Sequence, residues 1–514
     1  MELETVIGLE THVQLKTNTK LFCACKNEGD NAPPNTNICP ICLAHPGTLP
    51  VANIEALKLA VKTALMLDCA INTISRFDRK NYFYPDLPKA YQISQFALPI
   101  GQEGKVEFFT GGELKKVSIE RLHLEEDAAK LLHTADGKDS LIDFNRAGTP
   151  LMEIVTKPNF RSPTEAKSYL QELRLIMRHL GVSDADMEKG NLRCDANISL
   201  RPVGETKLYS KTEIKNLNSF KSVERALAYE IDRQTSLWKE GKPVSVLTTR
   251  GWNENKGETY LQREKEESHD YRYFPEPDLP PITFEETPHE HGHTCKAIPA
   301  NEINLSCLRS ELPEKPAFKV KRFMEEYRFS IADAKTIVEN ERLSNYTEQV
   351  MSELLAIEES EEGLDIEEEE LKEKVGKLVG GWITTELIKI ERAHEKGSLQ
   401  DVIKARSFAE LLNLIIMRRV NSTHAKELLT KLIGSNKTLS DIWEEEKKGV
   451  ISGEDELEKI VATVIKENPD ALKDFKKGKT ASVQFLVGMV MKKTKGRTDP
   501  EKVNELILQS LKKL

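Results

Sequence analysis

Residues 6–15, V-I-G-L-E-T-H-V-Q-L, decide how the first half of the chain is read. Ile7, Leu9, Val13 and Leu15 fall on alternate positions, the period of a β-strand with one face turned inward. The other face then carries Gly8, Glu10, His12 and Gln14, so a carboxylate and an imidazole sit side by side. Three later stretches repeat the design. Arg121, His123, Glu125 and Asp127 alternate with Leu122 and Leu124; Arg193, Asp195, Asn197 and Ser199 alternate with Leu192, Cys194, Ala196, Ile198 and Leu200; Lys211, Glu213 and Lys215 keep the same phase. One sheet with one working face accounts for all four. An ordinary solvated sheet face is the alternative, but such faces favour Thr, Lys and scattered charges. The excess of acids and His points to a metal and a phosphorylated ligand.

The chain of 514 residues is long enough for two to four domains with real cores. It has no run of eighteen apolar residues, and its start, M-E-L-E-T-V, lacks the basic and apolar regions of a signal peptide. A cytoplasmic protein without a membrane partner is the expectation. Eight cysteines, half of them between Cys23 and Cys42, then suggest thiols and a metal rather than disulfides. Net charge is −9, yet from Leu472 onward eleven Lys/Arg face four acids, so the rest of the chain is strongly acidic.

Cys23-x-Cys25 and Cys39-Pro-Ile-Cys42 have the look of a four-thiolate zinc loop, in which two close pairs supply a tetrahedron and leave no open position for substrate. Four unligated thiols are the alternative. The stretch 76–89 mixes cations and aromatics (Lys80, Asn81, Tyr82, Lys89) with Pro85 and Pro88, and reads as a loop able to hold phosphates and stack a base or ribose. Glu153 lies alone in the apolar run Leu151–Val155, where an acid costs several kcal/mol unless paired or ligated. Helices are expected over about 51–67, from the Ser162-Pro-Thr-Glu start to about 180, and over 223–238. No P-loop, GxGxxG or kinase motif is present. His289, His291, His293 and Cys295 form a weak second metal candidate. Beyond about residue 300 helical patterns dominate, with nine acids among residues 358–370 marking a solvated insert and Phe408, Leu411, Leu412, Ile415 and Ile416 opening a last helical unit. The fold class is therefore α+β: a domain with a mostly antiparallel sheet, followed by helices.

The phrases G-L-E-T-H-V-Q-L (8–15), C-P-I-C-L-A-H-P-G-T-L-P (39–50), R-K-N-Y-F-Y-P-D-L-P-K (79–89), R-L-H-L-E-E-D-A (121–128), L-R-C-D-A-N-I-S (192–199), E-I-K-N-L-N-S (213–219) and H-D-Y-R-Y-F-P-E-P-D-L (269–279) resemble the B subunits of the glutamyl/aspartyl-tRNA amidotransferases. The resemblance implies a cradle domain over 1–295, a helical domain over 296–405 and a helical tail similar to YqeY proteins over 406–514 that binds tRNA. It implies activation of the side-chain carboxylate of misacylated Glu-tRNA(Gln) or Asp-tRNA(Asn) by ATP. Amidation follows, with ammonia from a separate amidase (glutaminase) subunit, which a small third subunit ties to this chain. The same resemblance makes Glu10, His12, Glu125, Glu153 and Asp195 the catalytic Mg²⁺ site. Lys80, Asn81, Tyr82, Lys89, Arg193 and Lys215 are the expected nucleotide contacts, and Cys23, Cys25, Cys39 and Cys42, by their spacing, the expected ligands of a structural Zn²⁺. A non-catalytic, zinc-containing RNA-binding scaffold is the competing reading.

Overall fold

Alternation of apolar and polar residues builds one large sheet. In chain order the first unit contains β1 (Leu3–Gln14), α1 (Ile54–Met66), β2 (Ala70–Ile71), β3 (Ile74–Ser75), β4 (Asp78–Asn81), β5 (Tyr91–Ser94), β6 (Gly101–Thr110), β7 (Glu113–Glu126), β8 (Lys130–His133), β9 (Ser140–Asp143) and β10 (Pro150–Thr156). There follow α2 (Pro163–His179), β11 (Leu192–Pro202), β12 (Thr212–Leu217), α3 (Phe220–Lys239), β13 (Leu247–Asn253), β14 (Glu258–Lys265), β15 (Phe274–Pro275), β16 (Ile282–Glu285) and β17 (Glu302–Asn304). Nine strands join in the order β14-β13-β12-β11-β1-β10-β7-β6-β2, every neighbouring pair antiparallel except β12 with β13. The computed structural model describes all residues except 1, 29–31, 135, 266–269, 287–301, 361–368, 395–397, 418, 436, 448–453, 470, 472–474, 476–480, 495–499 and 514. The His289–Cys295 group, the middle of the acidic insert and most cations of the tail fall outside the described residues.

The inward face of the sheet carries Ile7, Leu9, Val13, Leu122, Leu124, Met152, Ile154, Leu192, Ala196 and Ile198, which share one core with Leu57 and Val61 of α1, Leu170 and Leu173 of α2 and Val223 and Leu227 of α3. Truncating any of these buried leucines to Ala should cost about 2–5 kcal/mol. The helices start where the caps say they should. Asn53 Oδ1 accepts the Glu55 and Ala56 N–H groups, Ser162 Oγ accepts that of Glu165 ahead of which Pro163 needs no donor, and Ser219 Oγ accepts that of Ser222.

Strand β6 is not announced by the sequence, because Gly101 and Gly104 blur its pattern. Both are required by packing: a Cβ on Gly101 would lie 2.8 Å from Cys69 Cβ, and one on Gly104 would lie 2.5 Å from Cys69 Sγ and 2.6 Å from the Leu67 carbonyl, where the chain leaves α1. Gly111 and Gly112, with φ of 58° and 87°, close the β6–β7 hairpin as a two-residue turn with both centres left-handed. The stretch expected as a loop at 76–89 is strand at its start: β4 pairs with β5 and β15, so Lys80 and Asn81 are fixed on a ladder and only the residues around Pro85 and Pro88 are irregular. Cys307 also departs from expectation, since it is disulfide-bonded. Composition speaks for the chain as a whole, and two sulfurs brought together by a fold can still pair.

The chain divides into compact units over Met1–Phe318 and Lys319–Leu514. The second is helical. In it, helix Ala405–Ile416 buries Phe408, Leu411, Leu412 and Ile415 and packs on helix Glu341–Ser360, where Arg406 meets Glu353 and Tyr346 Oη donates to the Ile403 carbonyl. Helices Glu454–Glu467, Ala481–Lys493 and Pro500–Lys513 gather around their own apolar cluster of Val461, Val464, Leu486, Val490, Val503 and Ile507.

Candidate active site

Register decides what the outward face holds. Across four neighbouring strands, His123 on β7 stands opposite Glu153 on β10, Glu153 opposite His12 on β1, and His12 opposite Arg193 on β11; one row away Glu10 stands opposite Asp195. Pairing alone therefore lays acid, imidazole and guanidinium in lines across the sheet. His12 Nε2 lies 3.4 Å from Glu153 Oε2, 3.6 Å from Glu125 Oε1 and 3.8 Å from Glu10 Oε1. His123 Nε2 lies 3.5 Å from Glu153 Oε2 and 3.7 Å from Glu125 Oε2. Glu10, His12 and Glu153 form one potential ligand trio, and His123, Glu125 and Glu153 a second that shares Glu153. Ser94 Oγ on β5 donates to Glu125 Oε2 at 3.1 Å and fixes its orientation.

Electrostatics follow from burial and crowding. Burial, then the Glu153 charge, pushes the Glu10 carboxyl up. Burial works in the same direction on Glu125 and Glu153 but is overcome, by His123 for Glu125 and by His123 and His12 for Glu153, so both are held below the ordinary range. Burial alone would lower His12, yet the surrounding carboxylates lift it to about 9. The cluster thus demands positive charge at its centre, supplied by a proton or by a cation. Three carboxylates give the oxygen donors that a hard divalent ion takes, and among the described residues the buried Nδ1 of His123 has no hydrogen-bond partner. The donor set fits a divalent cation.

Four of the five residues expected at the metal, Glu10, His12, Glu125 and Glu153, come together in these trios. Asp195 does not join them: its Oδ2 accepts Lys215 Nζ at 2.5 Å, so both Asp195 and Lys215 stand at the rim as an ion pair, with Glu213 3.2 Å from the same ammonium. His123 is the member that sequence reasoning left out, although it shares a face with Glu125 two residues on. Lys80 has Nζ over the rings of Tyr271 (5.2 Å) and Tyr82 (5.9 Å); burial lowers it, but Glu125, Tyr273, Glu153 and Tyr82 together raise it above its ordinary value, keeping it charged. Phe96 and Tyr273 stack at 4.2 Å, with Arg121 5.9 Å above Phe96. Asn81 Nδ2 is occupied by the Arg272 carbonyl at 2.7 Å. Arg193 Nη2 donates to the buried Asp127 carboxylate at 2.8 Å, which also accepts from Gln14 at 3.0 Å. Lys89 lies apart from the carboxylate cluster, 2.7 Å from Glu126 and in the wall of a 250 Å³ cavity shared with Cys23 and Cys42.

The four loop thiols converge as the spacing suggests: Cys23, Cys25, Cys39 and Cys42 place their Sγ atoms within 4.8 Å of one another. Cys42, at the centre, is held lowest, to about 4, first by the Cys23 thiol that donates to it and further by the Cys39 N–H and the Lys20 charge. Four convergent sulfurs fit a tetrahedral zinc ion. Among the described residues no helix is long and apolar enough to cross a membrane.

Residues 5–290 match the family model described as the GatB/GatE catalytic domain, and residues 365–511 match one described as the GatB domain. The chain is 42% identical over 518 residues to the aspartyl/glutamyl-tRNA(Asn/Gln) amidotransferase B subunit of Carboxydothermus hydrogenoformans, with both chains covered in full. It is equally similar, at 42%, to the proteins of that name from Thermodesulfovibrio yellowstonii over 515 residues and Crocosphaera subtropica over 516, the last covering 98% of this chain and 97% of the relative.

Proposed function

The chain belongs to the family of aspartyl/glutamyl-tRNA amidotransferase B subunits, and from that membership we propose that it activates the side-chain carboxylate of misacylated Glu-tRNA(Gln) or Asp-tRNA(Asn) with ATP. The observation that carries this reading is the set of three carboxylates and two imidazoles laid across β7, β10 and β1, with His123, Glu125 and Glu153 buried and Glu10 and His12 half-buried. A carboxylate resists ammonia because hydroxide is a poor leaving group. Attack of the substrate carboxylate oxygen on the γ-phosphorus of ATP releases ADP and gives an acyl phosphate; ammonia then attacks the acyl carbon and phosphate leaves. Such a transfer requires positioning and charge neutralisation more than covalent help.

Glu10, Glu125 and Glu153, with His12 and His123, would hold Mg²⁺, and the chemistry that ion would supply is neutralisation of the charge developing on a transferred phosphoryl group. Lys80 and Arg193 border this cluster as fixed cations, Lys80 held between tyrosine rings and Arg193 by Asp127. The tyrosine and Phe96–Tyr273 faces offer stacking surfaces for an adenine. Ammonia would arrive from a glutaminase-type amidase partner, tied to this chain by a small third protein of the complex. The cationic excess after Leu472 would hold the tRNA polyanion. Zn²⁺ in the four-cysteine loop would be structural.

The decisive measurement is phosphate release by the reconstituted complex with each misacylated tRNA. Activation predicts ATP hydrolysis that requires both aminoacyl-tRNA and Mg²⁺. A scaffold that binds the tRNA and leaves ATP untouched would overturn the proposal.

A further inference from the structure

Lys20 is among the largest fully buried side chains, at 1% exposure, and among the described residues no carboxylate lies within ion-pair distance of it. Its Nζ is 3.1 Å from the Asn37 carbonyl, 3.5 Å from the Phe144 carbonyl and 3.8 Å from Cys42 Sγ. An ammonium removed from water without an anion costs several kcal/mol. Among the described residues the nearest group able to carry a negative charge is the Cys42 sulfur. Conversely, a divalent ion bound by four thiolates leaves a net charge of about −2 to be stabilised at a centre where Cys42 is 5% exposed. The Cys39 N–H, 3.1 Å from Cys42 Sγ, supplies one dipole against that charge, and Lys20 supplies the full counter-charge.

The three partners of Lys20 belong to different segments. Asn37 and Cys42 are in the cysteine loop, whereas Phe144 begins the run that enters β10. The same seam is sewn by Asn35, whose Oδ1 accepts the Phe144 N–H at 2.8 Å and whose Nδ2 donates to the Ile142 carbonyl at 2.9 Å. Asn145, wholly buried, accepts the Asn37 N–H at 2.8 Å and donates to the Pro33 carbonyl at 2.7 Å.

We propose that Lys20 is the outer-sphere cation of the four-cysteine centre, a positioning residue that retains the metal and joins its loop to the segment leading to Glu153. This rests on the zinc reading above. The test uses the full chain, measuring zinc stoichiometry and the rate of zinc release to a chromogenic chelator. Lys20→Met and Lys20→Gln should both release zinc about tenfold faster or more, the usual scale for loss of a partner behind the ligands. Lys20→Arg, which keeps the charge, should stay near wild type, as should Lys16→Met, whose lysine is exposed and paired with Asp184. Lys20→Gln retains an N–H donor beside the two carbonyls and removes the charge, so it decides the matter even if the Met variant does not fold. Zinc release from Lys20→Gln at the wild-type rate, or from Lys20→Arg as fast as from Lys20→Gln, overturns the role of Lys20 alone. Wild-type protein devoid of zinc overturns the metal reading and this role with it.

Discussion

The carboxylate cluster and the thiol loop are two donor sets in one unit, built in opposite ways. The thiols come from twenty consecutive positions, 23–42, whose described residues are irregular backbone held by side-chain bonds such as those of Asn35 and Asn145. The acids and imidazoles come from positions 10 to 153 and are aligned by ladders on both sides of each strand. An ion removed from the first set takes part of the loop's constraint with it. In the second set the backbone stays where the ladders put it, and a missing charge is felt by chemistry rather than by shape.

The largest effect should fall on the sheet. Glu153→Gln removes the carboxylate common to both trios and should slow tRNA-dependent phosphate release about a thousandfold, roughly 4 kcal/mol of transition-state stabilisation. Glu153 repels its neighbour Glu10 but pairs with His12 and His123, so its loss relieves one interaction and removes two others, and the thermal midpoint should shift by no more than a few degrees. A fall of several degrees would break the contrast by making the cluster structural. The double change Cys39→Ser with Cys42→Ser should do the reverse. Losing a cross-link around a loop of this length costs about 3 kcal/mol, on the disulfide scale, enough to lower the midpoint of the first unit on the order of 5 °C. Chemistry per folded molecule should change little, and kinetics corrected for folded fraction check it. The smallest effect should be that of Lys80→Met, which removes one charge-assisted contact of about 1.5 kcal/mol and should raise the KM for ATP about tenfold with zinc content and midpoint unchanged. An unaltered KM would leave Lys80 to packing between Tyr82 and Tyr271.

The contrast also explains what could be read in advance. The thiols announce themselves through spacing along the chain. So do the working faces of β1, the end of β7 and β11, because alternation is local. What spacing cannot carry is which strand lies beside which. Nothing in residues 150–156 says that they insert between β1 and β7, yet that insertion gives Glu153 its two imidazole neighbours and turns His123 from a face residue into a potential ligand. The same limit applies to Asp195, whose phase on β11 puts it on the working face but whose pairing with Lys215 from β12 spacing could not foretell. Strand β4 was hidden by the prolines just beyond it, and β6 by glycines that serve the packing of Cys69 and Leu67 rather than the strand.

The central position of β1 has a consequence for how the protein is made. β1 leaves the ribosome well ahead of its two neighbours, which are formed by residues 150–156 and 192–202. At about 5–20 residues per second, it waits on the order of ten to forty seconds for both. During that time it is a nascent strand with a greasy side and both edges open, the state most prone to pairing with a stranger. Glu10 and His12 on its other side are then solvating groups that work against such pairing while the segment waits.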